Sequence, residues 1–119
     1  MPEQRDLLKR RLSSASEIKI TVTGRKSGRP ITVPIWFVLD GDTLYLLPVT
    51  GSDTQWYKNM LENPKIRIEA GGVQRELKAV PITQAAEVEI VVEKFREKYA
   101  ADVNKYYSKF DVAVLFRLN

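Results

Sequence analysis

The sequence predicts an α+β fold in which six mainly antiparallel strands close into a barrel with flanking helices. Three observations predict it. Short runs at 17–23, 31–39, 43–50, 65–70, 73–83 and 110–118 read as strands, and 17–23 alternates apolar and polar residues, the period of a half-buried strand. Short glycine-bearing turns join most of these runs, which makes their neighbours antiparallel. A chain of 119 residues holds one core and is too short for two, so residues 1–119 read as a single domain whose strands hide their edges by closing up.

The elements follow in order. Residues 3–13 form a short helix, with Pro2 near its start and Leu7, Leu8 and Leu12 on one side. In 17–23, Ile18, Ile20 and Val22 face one way and Lys19, Thr21 and Thr23 the other. The loop Gly24–Pro30 leads into 31–39, where Pro34 cannot donate to a ladder and so marks an edge or a bulge. Asp40-Gly41-Asp42 is a tight turn into 43–50. Ser52 and Gln55 have the spacing of a capping box for a helix that runs to about Glu62, where Asn63-Pro64 stops it. Gly71-Gly72 joins 65–70 to 73–83. Val88, Val91, Val92, Phe95 and Tyr99 recur at helical spacing over 84–99. A short helical or irregular stretch precedes the last strand.

Composition excludes several chemistries. The chain has no cysteine and no histidine, so a thiol nucleophile, a zinc-thiolate centre and a Ser-His hydrolase are untenable, and no metal site is expected. No apolar stretch approaches the roughly 20 residues of a membrane span, and the charged N-terminus lacks a signal-peptide core. A cytoplasmic location is the expectation. Of the net charge of +4, residues 1–30 carry +5, which suggests an anionic partner near the first helix and the first loop.

That loop, Gly24-Arg25-Lys26-Ser27-Gly28-Arg29-Pro30, holds forked and point cations and a hydroxyl between two glycines. Those groups suit a phosphate or carboxylate; a solvated turn explains them equally well. Gly51 and Ser52 before a helix suggest a second anion site, or a simple cap. Trp56 and Tyr57 in that helix could flank a ring or fill the core. Trp36 and Phe37 point to opposite faces, and one must be internal. Tyr106 is a candidate proton donor or pocket cover, or an exposed loop aromatic.

The stretches TVTGRKSGRPITVPI, DGDTLYLLP and TGSDTQWYKNMLENPKIRIEAGG together resemble the deazaflavin-dependent nitroreductase family, a branch of the flavin-binding split β-barrel superfamily that includes the pyridoxamine phosphate oxidase-like proteins. The resemblance covers about residues 16–83 well and the last helix and strand more loosely. It implies a split β-barrel that transfers hydride from coenzyme F420, or alternatively FMN, to a small acceptor such as a quinone or nitroaromatic. It implies that Arg25, Lys26, Ser27 and Gly28 grip phosphate, that Pro34 and Trp36 line the ring pocket, and that Thr50, Gly51, Ser52, Trp56 and Tyr57 contact the ring and ribityl region. Tyr57 and Tyr106 are the candidate proton donors. It also implies a homodimer, and the basic first helix as a contact for an acidic cofactor tail. Trp36 stands where the family often has tyrosine, and Asp53 where many members are uncharged. The alternatives are a non-catalytic flavin- or haem-binding barrel, and a nucleic-acid binder using the first 30 residues. The nucleic-acid reading is set aside because the rest of the chain is net acidic.

Overall fold

A computed structural model describes residues 2–118, and side chains from Leu7 onward; Met1, Asn119 and the side chains of Glu3, Arg5 and Asp6 lie outside the description. The elements are α1 (Pro2–Ser13), β1 (Ile18–Thr23), β2 (Pro30–Ile35), β3 (Phe37–Asp40), β4 (Thr43–Leu46), a 3-10 turn (Gly51–Asp53), α2 (Gln55–Glu62), β5 (Lys65–Ala70), β6 (Val73–Lys78), β7 (Val80–Ile82), α3 (Ala85–Tyr99), α4 (Asp102–Tyr106) and β8 (Ala113–Arg117).

The fold is α+β, but eight strands form two four-stranded sheets, β2-β1-β5-β6 and β3-β4-β8-β7, where six strands were expected. The difference arises at two bends. The run 31–39 breaks at Trp36 and the run 73–83 at Ala79, so each passes from the edge of one sheet to the edge of the other. Every ladder pair is antiparallel. At the first bend the Phe37 backbone finds its partners on α3. The Phe37 N–H donates to the Tyr99 hydroxyl at 3.1 Å, and the Phe37 carbonyl accepts from Lys98 Nζ at 2.9 Å and lies 2.8 Å from the same hydroxyl. These bonds stand in for a ladder neighbour. At the second bend the Ala79 N–H donates to the Pro64 carbonyl at 2.8 Å.

Two cores result. Between the sheets lie Ile18, Ile20, Val22, Phe37, Leu44, Leu46, Ile66, Ile68, Val114 and Phe116, closed at one end by Leu8 and Leu12 of α1. The outer face of the second sheet, through Val38 and Ala113, packs on Val88, Val91, Val92 and Phe95 of α3. Burial on both faces explains why Phe37 and Val38 are adjacent and both buried. The first sheet's outer face, with Lys19, Arg67, Glu76 and Lys78, meets solvent.

The open edge of β2 is shaped by proline. The Gly24 N–H donates to the Arg29 carbonyl at 2.8 Å, so Gly24/Arg29 is a hydrogen-bonded pair. The register then makes Val22/Ile31, Ile20/Val33 and Ile18/Ile35 the bonded pairs. Pro30, Thr32 and Pro34 turn their backbone outward, and only Thr32 has an N–H to offer there. At the opposite end of β1, Gly71 and Gly72 both hold positive φ, 55° and 83°, as a two-residue I′ turn requires.

The N-terminal charge is divided. Lys9 of α1 pairs with Asp42 at 2.9 Å, and Arg11 lies on Gly71, which places α1 at the barrel end where β1 starts. The loop 24–30 follows the end of β1. The expected single positive region is therefore two, separated by the length of a six-residue strand.

Candidate functional site

The loop 24–30 folds back on itself. Gly28 N–H donates to the Gly24 carbonyl at 2.9 Å, and Ser27 Oγ accepts from the Arg29 N–H at 3.2 Å. Its anchor is Asn59, which is 5% exposed on the inner face of α2. Asn59 Oδ1 accepts from the Arg25 backbone N–H at 3.1 Å and from the Arg25 guanidinium at 2.7 Å. A second guanidinium nitrogen reaches Gln55 Oε1 at 2.9 Å. Arg25 is thus a strut between the loop and α2. Lys26 and Arg29 are exposed and form no ion pair among the described residues. The Lys26 and Ser27 amides meet no acceptor among the described residues. Asn59 stands in the Trp56-Tyr57-Lys58-Asn59 stretch of the sequence but had no role there; a polar residue between Tyr57 and Met60 on a buried helical face was its signal.

The turn before α2 differs from expectation. No capping box forms: Thr54 is the N-cap of α2 without a side-chain cap bond, and its hydroxyl bonds the Thr50 N–H and hydroxyl at 3.0 and 2.9 Å. Gln55 instead serves Arg25. The amides of 51–54 are all engaged, with Gly51 on Pro48, Asp53 on Thr50, Thr54 on Gly51 and Ser52 on Asp111. The Asp111 carboxylate accepts from both the N–H and the hydroxyl of Ser52, so the chain's own anion fills this position. Gly51 has φ +57°, and a Cβ there would collide with the Asp111 carboxylate. Burial pushes the Asp111 carboxyl up, but the Ser52 bonds and Lys109 outweigh it and hold it below its usual range. Lys109 also pairs with Asp53 at 3.0 Å, which neutralises the acid that stands out beside the loop.

A cleft of about 340 Å³ opens along β2. Pro34, Trp36, Trp56 and Tyr106 line it together with Glu17, Val33, Val49 and Thr54. Tyr99 stacks on Trp36 at 4.4 Å with the rings 7° apart, and Tyr106 meets the Trp36 edge at 5.5 Å and 88°. The Tyr99 hydroxyl, tied to the bend, is pushed up by burial. Of the residues expected at a site, Pro34, Trp36 and Trp56 meet in this cleft. Arg25, Lys26, Ser27 and Gly28 lie outside the cleft lining, on the loop that Arg25 ties to Gln55 and Asn59 of α2. Thr50, Gly51 and Ser52 form the tethered turn. Tyr57, 3% exposed, sits in the inner core outside the cleft lining; burial, then Asp111, raises its hydroxyl above the ordinary range. Tyr106 is 53% exposed at the cleft mouth. A more polar hollow of about 560 Å³ lies between α1, β3 and α3 and is lined by Asp40, Lys94 and Lys98 among others; none of the expected site residues lines it.

The two antiparallel sheets and their helices make a small split β-barrel, a fold shared with solved structures. Three solved structures carry the comparison. One is the F420-H2-dependent reductase FDR-A, with TM-score 0.67, 21% identity, 86% of this chain and 94% of that one covered. The second is HutZ, the haem storage protein of Vibrio cholerae, with TM-score 0.68, 17% identity, and 94% and 86% covered. The third is a Listeria innocua protein assigned as a pyridoxamine 5'-phosphate oxidase, with TM-score 0.70, 15% identity, and 94% and 90% covered. Within this fold the chain belongs to the DUF2255 family, described as an uncharacterized protein conserved in bacteria, which matches residues 8–113. No helix among the described residues is long and apolar enough to cross a membrane.

Proposed function

We propose that this chain is a small oxidoreductase that binds a flavin-type cofactor, coenzyme F420 or FMN, and passes hydride to a quinone or nitroaromatic acceptor. The observation that carries the proposal is the meeting of Pro34, Trp36, Trp56 and Tyr106 in one cleft, with Arg25 of the cationic loop tied to Gln55, the neighbour of Trp56 on α2. The residues fit such a group. The planar walls suit a ring, and the open Lys26 and Ser27 amides with the exposed Lys26 and Arg29 side chains suit a phosphate. Arg25 and Asn59 fix the loop against α2, and so set its position relative to Trp56 on the same helix. The bound cofactor supplies the hydride chemistry; the protein binds, orients and excludes water. Of the two tyrosines proposed to hold the transferred proton, Tyr106 lines the cleft. The exposed Ile31, Val49 and Tyr106 offer a face for a second copy, and a cytoplasmic homodimer completes the proposal.

Parallel titrations of the protein with FMN and F420, read by fluorescence quenching, test it. Lys26→Ala should weaken the preferred cofactor about tenfold, the scale of one charge-assisted bond, with melting unchanged. No binding of either cofactor would sink the proposal. Cofactor retention without turnover is the second reading. It is favoured by Tyr57, the other candidate proton donor, being buried outside the cleft lining. Bound reduced cofactor that no quinone or nitro compound reoxidises would establish it.

A further inference from the structure

The charge of the cleft is as informative as its shape. Its walls are Trp36, Trp56, Tyr106 and Tyr107 with four aliphatic side chains and Thr54, and the one charged group among the lining residues is Glu17. Glu17 stands at the Trp36 end, close enough to Tyr99 for its charge to raise that hydroxyl further. No lysine or arginine is among the lining residues. Lys98 lies 3.6 Å over the Phe37 ring, bonds the Phe37 carbonyl and lines the separate hollow. Lys105 sits 5.5 Å over Tyr106 and is not among the lining residues. Indole and phenol faces attract positive charge, tryptophan most strongly. A carboxylate at their rim adds attraction for a cation and repels an anion.

We infer that this cleft selects a planar ring bearing positive charge, over a neutral ring of the same shape, and rejects an anionic one. Glu17 is the charge partner, and Trp36 and Trp56 supply the stacking faces. This rests on the cleft's reading as a ring site and adds the charge of the ring that it takes. It does not depend on which flavin is bound.

The two tryptophans of the chain both line the cleft, so their indole N–H signals sense a ring bound there. Titrations of the cofactor-free protein with N-methylquinolinium, quinoline and a quinoline carboxylate, followed by those two signals in heteronuclear NMR, test the inference. The expected order is cation, neutral, anion, with the cation about fivefold tighter than quinoline at low salt. Glu17→Gln should bring the cation within about twofold of quinoline, while both indole signals still shift. Equal affinity for cation and neutral ring in the unmodified protein would overturn the inference, as would a preference that survives Glu17→Gln. If these probes behave as expected but neither FMN nor F420 binds, the cofactor proposal fails and the charge selection stands.

Discussion

Asn59→Leu is the sharpest test of how the cationic loop is held. The substitution keeps a side chain of similar volume on the buried face of α2 and replaces the amide oxygen and nitrogen by methyl groups. That oxygen accepts two donors, the Arg25 backbone N–H at 3.1 Å and its guanidinium at 2.7 Å. An amide N–H left without a partner at a half-buried position costs about 1–3 kcal/mol. The guanidinium is nearer solvent and recovers most of its loss from water, so its share is about 0.5–1 kcal/mol. The expected destabilisation is about 2–3 kcal/mol. A chain of 119 residues melts about 4 °C lower per kcal/mol, so the midpoint should fall by about 10 °C. Urea unfolding by circular dichroism gives the free energy, and hydrogen exchange at the Arg25 amide locates it. Arg25→Met combined with Asn59→Leu should cost at least about 1 kcal/mol less than the two changes summed. Additive losses together with unaltered exchange at Arg25 would refute the clamp.

Three further outcomes follow from the geometry. Gly51→Ala should destabilise by about 2–4 kcal/mol, from a left-handed φ and the collision with the Asp111 carboxylate; Asp111→Ala in the same chain should restore part of it in urea melts, and no restoration would argue that φ alone is responsible. Tyr99→Phe keeps the stack on Trp36 but removes the hydroxyl that serves the Phe37 N–H. It should cost about 1–3 kcal/mol and shift the Trp36 indole signal, and an unmoved signal would show that the bend does not set that ring. Burial raises the hydroxyls of Tyr107, Tyr99 and Tyr57 above the ordinary 10.0. Raised values keep these groups protonated in the folded state while unfolded tyrosines ionise. Their stabilising share is therefore complete below about pH 10 and is lost as the pH rises above it. A pH series of melting temperatures should fall steeply there, and Tyr107→Phe should flatten the fall.

Much of the architecture is legible in the chain because period and punctuation agree. Ile18, Ile20 and Val22, the Gly71-Gly72 turn and the α3 stripe each state their own environment. The bend at Trp36 is not legible, because Ile31, Val33, Ile35 and Phe37 alternate without a slip. What breaks the strand is a hydroxyl 62 residues away, and no local pattern carries that. The run 73–83 does betray its break: Leu77 and Ala79 keep one phase and buried Ile82 leaves it. At the site, the cleft residues Pro34, Trp36 and Trp56 are visible as aromatics and a proline in expected places. The fate of Ser52 is not, since a serine before a helix looks the same whether it caps the helix or holds a distant aspartate.

The prolines of β2 carry a consequence for assembly. A sheet grows when a foreign strand finds a row of amides, and here the row has been reduced to Thr32. A second molecule that settles on this side must hold on through Ile31, Val49 and Tyr106 rather than by extending the ladder. Such an association can come apart without breaking a backbone ladder, and the same edge gives a fibril the single amide of Thr32 to template on.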